Sequence, residues 1–197
     1  MADKNKQFTK AVIGPGIAAY SYLAKPDTEG KYADGKFKVT LVVDQDAPWI
    51  EGFKAKCIEA AKKEWPKVKE ASIKLPFKDG DETGKEEFEG KFLITAKSKK
   101  RPTMIDAKRK ALPKDVIKSG DEVKISVTLN PCTPSGTKTV ALWLNAVQLI
   151  TKNNSGYNAA DDFEDEDGFE YDADDEAEED EDEESDEDGE DDDDGDF

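Results

Sequence analysis

Two stretches of strict alternation mark the chain. Residues 36–44 set Phe37, Val39, Leu41 and Val43 on one side against Lys36, Lys38 and Thr40, and Val123, Ile125, Val127 and Leu129 oppose Lys124, Ser126 and Thr128 in the same way. A period of two belongs to a strand with one face on a core and the other toward water. Both are therefore predicted as half-buried strands with polar or basic outer faces. Further strands are predicted at 17–24, stopped by Pro26 and Asp27, at 91–97, where Phe92, Ile94 and Ala96 alternate with Lys91, Leu93, Thr95 and Lys97, at 103–107, and at 140–150. The basic connection Lys97, Lys99, Lys100, Arg101 reads as the bend of a hairpin joining 91–97 to 103–107.

One segment has a different period. Ile50, Phe53, Cys57, Ile58, Ala61 and Trp65 recur every three or four residues, which puts them on one face of a helix, with Asp46 as N-cap ahead of Pro48 and Pro66 as the stop. Pro76, Asp79-Gly80, Gly84 and Gly90 punctuate residues 66–90, where no long element is expected, and Gly14-Pro15-Gly16 reads as a turn. It lacks the strand and helix context of a phosphate-cradling loop. About five strands and one helix, without helices recurring between strands, predict a mainly β domain: a small closed or partly open barrel.

Charge changes this picture at the end of the chain. Residues 161–197 hold 27 of the 47 Asp and Glu and no Lys or Arg, so the formal charge of −18 conceals a body, residues 1–160, with 29 basic against 20 acidic residues. The body is net +9. Such an acidic run cannot bury enough apolar area to offset its ordering entropy and is predicted to be disordered, after a polar linker at 153–160. Three regions follow: a folded domain at 1–152, the linker, and the tail at 161–197. About 150 residues suffice for one domain that buries roughly two-thirds of its unfolded surface.

Several function classes drop out. The chain has no histidine, which removes the commonest general base, the usual triads and most zinc sites. No catalytic residue, cofactor or metal site is therefore expected. Cys57 and Cys132 stand in no CxxC spacing and are expected to be free thiols. No run approaches 18 apolar residues and the start is polar, so the expectation is a soluble protein of the cytoplasm, with no membrane partner.

A single strand of nucleic acid is held by cations along its phosphates and by aromatic faces under its bases. Candidate cations are Lys36, Lys38, Lys91, Lys97, Lys99, Lys100, Arg101 and Lys124, each on an expected outer face or loop; each taken alone is also an ordinary solvated charge. Trp143 is the sharpest aromatic candidate, because Leu142 and Leu144 flank it and it shares a face with Ala141 and Asn145. The competing reading extends that face through Val147 and Leu149 and makes Trp143 the plug of a second small core. Tyr20 and Tyr22 stack on bases or line the barrel interior with hydroxyls at its mouth, and at least one is expected in the core. Phe53 and Trp65 are packing residues of the helix.

The tail can reach the body. A flexible run of about 37 residues spans roughly 30–35 Å, against a radius of gyration near 15 Å for the domain, and tethering gives it an effective concentration of order millimolar. It is expected to compete with an external polyanion for the basic surface. Asp194, Asp196 and Phe197 at its tip, an aromatic among carboxylates, are candidate contacts for a second partner.

The residues Tyr20-Ser-Tyr-Leu-Ala-Lys-Pro-Asp27, Lys36-Phe-Lys-Val-Thr-Leu41, Leu75-Pro-Phe-Lys-Asp-Gly80 and the closing Asp-Gly-Asp-Phe197 resemble the phage single-stranded DNA-binding proteins of the podovirus type. That resemblance implies a five-stranded OB-fold barrel with one main α-helix, and binding of single-stranded DNA without marked sequence preference in phage replication, recombination, repair and annealing. It also implies a tail that meets the phage DNA polymerase and primase-helicase through Phe197, and leaves open a homodimer formed by tail exchange. Two competing readings are an acidic chaperone or DNA mimic whose tail binds basic partners, and a metal-dependent nuclease; the second lacks a clustered acidic motif at the strand ends.

Overall fold

The computed structural model describes residues 8–29 and 33–153. In chain order its elements are β1 (Thr9–Asp27), β2 (Lys36–Asp44), α1 (Ile50–Glu64), β3 (Lys78–Asp79), β4 (Lys91–Ser98), β5 (Thr103–Ile105), β6 (Glu122–Cys132) and β7 (Thr139–Thr151). The sheet runs β3-β4-β2-β1-β6-β7-β5, and a further parallel pairing of β4 with β7 closes it. Five strands, β1, β2, β4, β7 and β6, thus form a closed barrel, with α1 packed against β1, β6 and β7. This is the expected five-stranded OB-fold barrel with one main helix.

The alternating residues fill the barrel. Val123, Ile125, Val127 and Leu129 of β6 are fully buried, as are Val39 and Leu41 of β2, Ile94 and Ala96 of β4, and Val147 of β7. From α1, Ile50, Phe53, Cys57, Ala60 and Ala61 join the same core. The helix starts without side-chain help: its N-cap is Trp49, with no side-chain cap hydrogen bond, so Asp46 does not cap it. Its end follows expectation, since the Trp65 N–H still bonds to the Ala61 carbonyl and Pro66 has no N–H with which to continue.

Three of the irregularities in the ladders bear on where the candidate residues point. Gly14-Pro15-Gly16 is not a turn between elements but a bulge inside the 19-residue β1, where pairing with β6 slips between Ile13 and Gly16. The extra residue bends the strand without ending it. Gly14 has φ +114°, and a Cβ there would lie 2.9 Å from the Val123 carbonyl, so only glycine fits. A second slip between Ala19 and Tyr22, with Tyr20 at φ +48°, lets both tyrosines project outward, 44% and 38% exposed, and neither enters the core. The third lies in the β6–β7 ladder, between the pairs Ser126↔Ala146 and Val127↔Leu144. Asn145 is the extra residue, and the inward parity changes there.

The expected hairpin between 91–98 and 103–105 does not form. β4 pairs with β2, β3 and β7, and β5 instead adds in parallel to the far edge of β7 through Thr103↔Ala146 and Ile105↔Gln148. The end of β4 next to the connection is taken on both sides, since Lys97 pairs with Lys38 of β2 and with Trp143 of β7. At the other end of β7, the buried Asp121 carboxylate accepts bonds from the Lys118 N–H at 2.8 Å, the Asn153 N–H at 2.9 Å and the Lys152 ammonium at 2.9 Å. That cluster fastens the last described residues to the barrel.

Candidate nucleic-acid interface

One register row crosses four adjacent strands. Tyr22 of β1 pairs with Lys38 of β2, Lys38 with Lys97 of β4, and Lys97 with Trp143 of β7. Directly paired residues share a face of a sheet, so four candidates from distant parts of the sequence stand in line on the outside of the barrel. The parity change at Asn145 decides the Trp143 question: Val147 turns inward, fully buried, while Trp143 stays outside at 44% exposure with its ring 5.1 Å from that of Phe8.

Beside Trp143 lies an open trough of about 830 Å³. Lys97, Lys99 and Lys100 line it from the end of β4, Lys36 from the start of β2, and Trp143 and Asn145 from β7. Its remaining wall is residues 74–78, a segment the sequence marks only as loop. The Lys74 N–H bonds to the Lys138 carbonyl at 2.9 Å and its own carbonyl accepts the Thr139 hydroxyl at 2.8 Å, while Lys78 pairs with Leu93 of β4. Tied to strands on both sides, this wall adds Lys74 and Lys78 to the trough, two cations that sequence reasoning missed. The signal for them was the pair of lysines flanking Leu75-Pro76-Phe77. Six lysines and no carboxylate line the trough.

Counter-ions sort the cations further. Lys38 is ion-paired to Asp27, which is 3% exposed, and its ammonium also lies 4.8 Å from the centre of the Tyr22 ring. Lys97 and Lys36 share one oxygen of Asp34, at 2.8 and 3.9 Å. The hydrogen bond from Lys97 holds the Asp34 carboxyl below its usual range against partial desolvation, with the charges of Lys97 and Lys36 adding to the effect. Lys74, Lys78, Lys99 and Lys100 make no ion pair among the described residues.

Other candidates stand elsewhere. Tyr20 and Tyr22 line a second concavity of about 640 Å³ together with Phe88, Lys91 and Glu87. There Lys85, also absent from the sequence-based candidates, donates to the Tyr20 hydroxyl at 2.8 Å. Lys91 lies at the opposite end of β4 from the trough and pairs with Asp44 at 2.8 Å. Lys124 sits opposite Gln148, several residues along the β6–β7 ladder from Trp143. Arg101 is anchored, its guanidinium over the Phe37 ring and donating to the Ala24 carbonyl at 2.7 Å. Asp194, Asp196 and Phe197 lie outside the described residues. Among the described residues no group of three or more His, Cys, Asp or Glu is placed to hold a metal ion, and no helix is long and apolar enough to cross a membrane.

The family model described as the ssDNA-binding protein of Enterobacter phage Enc34 matches residues 9–182. Among solved structures, the chain is similar to a C-terminal truncation of the single-stranded DNA-binding protein from bacteriophage Enc34, with a TM-score of 0.60 and 23% identity over 78% of this chain and 94% of that one. It is similar to the same phage protein in complex with ssDNA, with a TM-score of 0.57 and 24% identity over 78% and 95% of the two chains. It is also similar to gp2.5, a single-stranded DNA binding protein encoded by bacteriophage T7, with a TM-score of 0.56 and 22% identity over 84% and 100%. No curated protein matches the chain.

Proposed function

The chain belongs to the phage ssDNA-binding family of the Enc34 protein, a family of binding proteins and not of enzymes, and from that premise we propose that its trough is the path of single-stranded DNA. The observation that carries this reading is the lining: six lysines, no carboxylate, and the half-exposed Trp143 beside them. Lysines meet phosphates, and the indole face offers a stacking surface that every base can use. None of these groups reads base edges, so the binding is sequence-independent.

The wider set of contacts follows the same logic. Tyr22 and Lys38 continue the register row away from Trp143, and Tyr20 and Lys91 extend it into the second concavity. Arg101 and Lys124 act at longer range, through the field they add. The protein coats and protects single strands during phage DNA replication, recombination, repair and annealing, in the cytoplasm of the bacterial host. Residues 1–152 are the binding domain, 153–160 a linker, and 161–197 an acidic tail that competes with DNA for the lysines. The tail tip, Asp194, Asp196 and Phe197, recruits the phage DNA polymerase and primase-helicase, and a homodimer is compatible with this arrangement.

The test is a titration of labelled oligothymidylate with the full chain and with a version ending at Ala160, at several salt concentrations. Each phosphate neutralised contributes about −0.7 to the log–log salt slope for single strands, so engagement of the four lysines without an ion pair among the described residues gives a slope of about −3. The shortened chain is expected to bind more tightly. Equal affinities at low salt refute tail competition, and absence of binding by both chains refutes the DNA reading itself. Binding of cationic proteins alone would favour the acidic-chaperone alternative.

A further inference from the structure

Two carboxylates touch the lysines of the register row and its flank, and burial separates their roles. Asp27 is 3% exposed, and its ion pair with Lys38, whose side chain is 16% exposed, is largely enclosed. Asp34 is different. Its side chain keeps about a quarter of its surface open, at 26%, and a single oxygen, Oδ2, meets both the Lys97 ammonium at 2.8 Å and that of Lys36 at 3.9 Å. Lys36 and Lys97 both line the trough, and Lys97 is the register partner of Trp143.

An anionic oxygen shared by two ammonium groups, one of them on the register partner of an exposed indole, stands as a phosphate would near a stacked base. We propose that Asp34 occupies a phosphate subsite formed by Lys36 and Lys97, standing in for a nucleic-acid phosphate until a strand displaces it. This inference rests on the trough being the DNA path and adds which two lysines share a phosphate and what they hold beforehand. Its chemistry is an exchange of anions: the carboxylate leaves both ammonium groups, returns to water, and a phosphodiester oxygen takes its place. An exposed ion pair contributes little on its own, so a polyanion that also gains stacking and further lysines can drive the exchange.

A prediction of unusual sign follows. Removing an acid from a structural ion pair ordinarily costs stability and function, whereas Asp34→Asn is expected to tighten binding of oligothymidylate about two- to fivefold at low salt, the range an exposed pair supplies. It also steepens the log–log salt slope by about 0.7, because the phosphate now displaces counterions and not a tethered carboxylate. Lys97→Met is expected to weaken binding, and the double variant Asp34→Asn with Lys97→Met to show a smaller gain over Lys97→Met than Asp34→Asn shows over the wild type.

The experiment is an anisotropy titration of the four full-length chains against labelled oligothymidylate at several salt concentrations, with thermal melts alongside. A tighter and steeper Asp34→Asn curve supports the subsite, since a misfolded variant does not gain affinity. Asp34→Asn binding equal to or weaker than the wild type, with the same slope, overturns it while leaving the DNA reading intact. A wild type that ignores the oligonucleotide overturns both.

Discussion

Replacing Trp143 by alanine isolates the stacking contribution from the charge contribution. The side chain is 44% exposed and meets Phe8 at 5.1 Å, so its removal opens no cavity in the barrel and costs about 1–2 kcal/mol of stability. Its expected contribution to binding is at least as large. One base stacked on an aromatic side chain is worth about 1–3 kcal/mol, which is roughly a 5- to 150-fold change in Kd. Because the indole carries no charge, the salt slope should not move. Anisotropy of a labelled oligothymidylate, titrated with wild type, Trp143→Ala and Trp143→Phe over a salt series, separates these quantities. The expected result is a large loss for alanine, substantial recovery for phenylalanine, parallel salt slopes and melts within a few degrees. Alanine within twofold of the wild type, with an unchanged melt, would mean that Trp143 only covers Phe8, and the stacking assignment would fall.

Other outcomes follow from the barrel and its edges. Burial raises the Asp121 carboxyl and the bonds from Lys118, Asn153 and Lys152 lower it, with a net depression below 3.8. A group with a depressed folded pKa stabilises the fold above its unfolded pKa and loses that contribution as pH falls through the folded value, so acid titration of Asp121→Asn should show a weaker loss of stability below about pH 4 and a neutral-pH cost of about 1–3 kcal/mol. Burial pushes the Cys57 thiol up to about 12, whereas Cys132 is only partly buried, so a thiol reagent at neutral pH should modify one cysteine in the native protein and two after unfolding. Phe53 is 3% exposed in the joint core of α1 and the barrel, and Phe53→Ala should cost about 3–5 kcal/mol in denaturant unfolding. A Cβ on Gly80 would lie 1.8 Å from the Phe88 carbonyl, so Gly80→Ala should displace the segment that carries Lys78, with about 1–3 kcal/mol lost in the same assay.

The barrel was legible where local period and tertiary burial agree. In β6 every inward position from Val123 to Leu129 is fully buried, because no bulge interrupts its own sequence there. Alternation cannot reveal a bulge, since an inserted residue alters parity without altering composition. That is why Gly14-Pro15-Gly16 read as a turn, why the tyrosines were expected partly in the core, and why Val147 looked like a neighbour of Trp143. The helix face was legible for the same reason as β6, but its start was not: Asp46 has the chemistry of a cap, while the chain turns into α1 three residues later.

The outward face of the candidate interface was legible, and its position along that face less so. Outward alternation assigns a face, but the trough occupies one length of that face, fixed by the single pairing of Lys97 with Trp143 that closes the barrel. Lys91 and Lys97 have the same parity on β4, yet only Lys97 reaches the trough, and Lys91 meets Asp44 at the other end. Net charge has the same defect. The excess of nine cations in residues 1–160 describes a far field that draws a polyanion in, whereas binding depends on where cations stand without partners. The second concavity has an exposed tyrosine pair and two lysines, but Glu87 lies within it, 3.6 Å from Lys85, and Asp44 holds Lys91. The charged residues on the trough's lining are all lysines, and among the described residues Asp34 is the one acid that pairs with them. On the proposed path, a strand would displace one exposed carboxylate and meet four lysines unpaired among the described residues. That difference in local charge, and not the aromatic count, is what favours the trough over the second concavity in the proposed path of the strand.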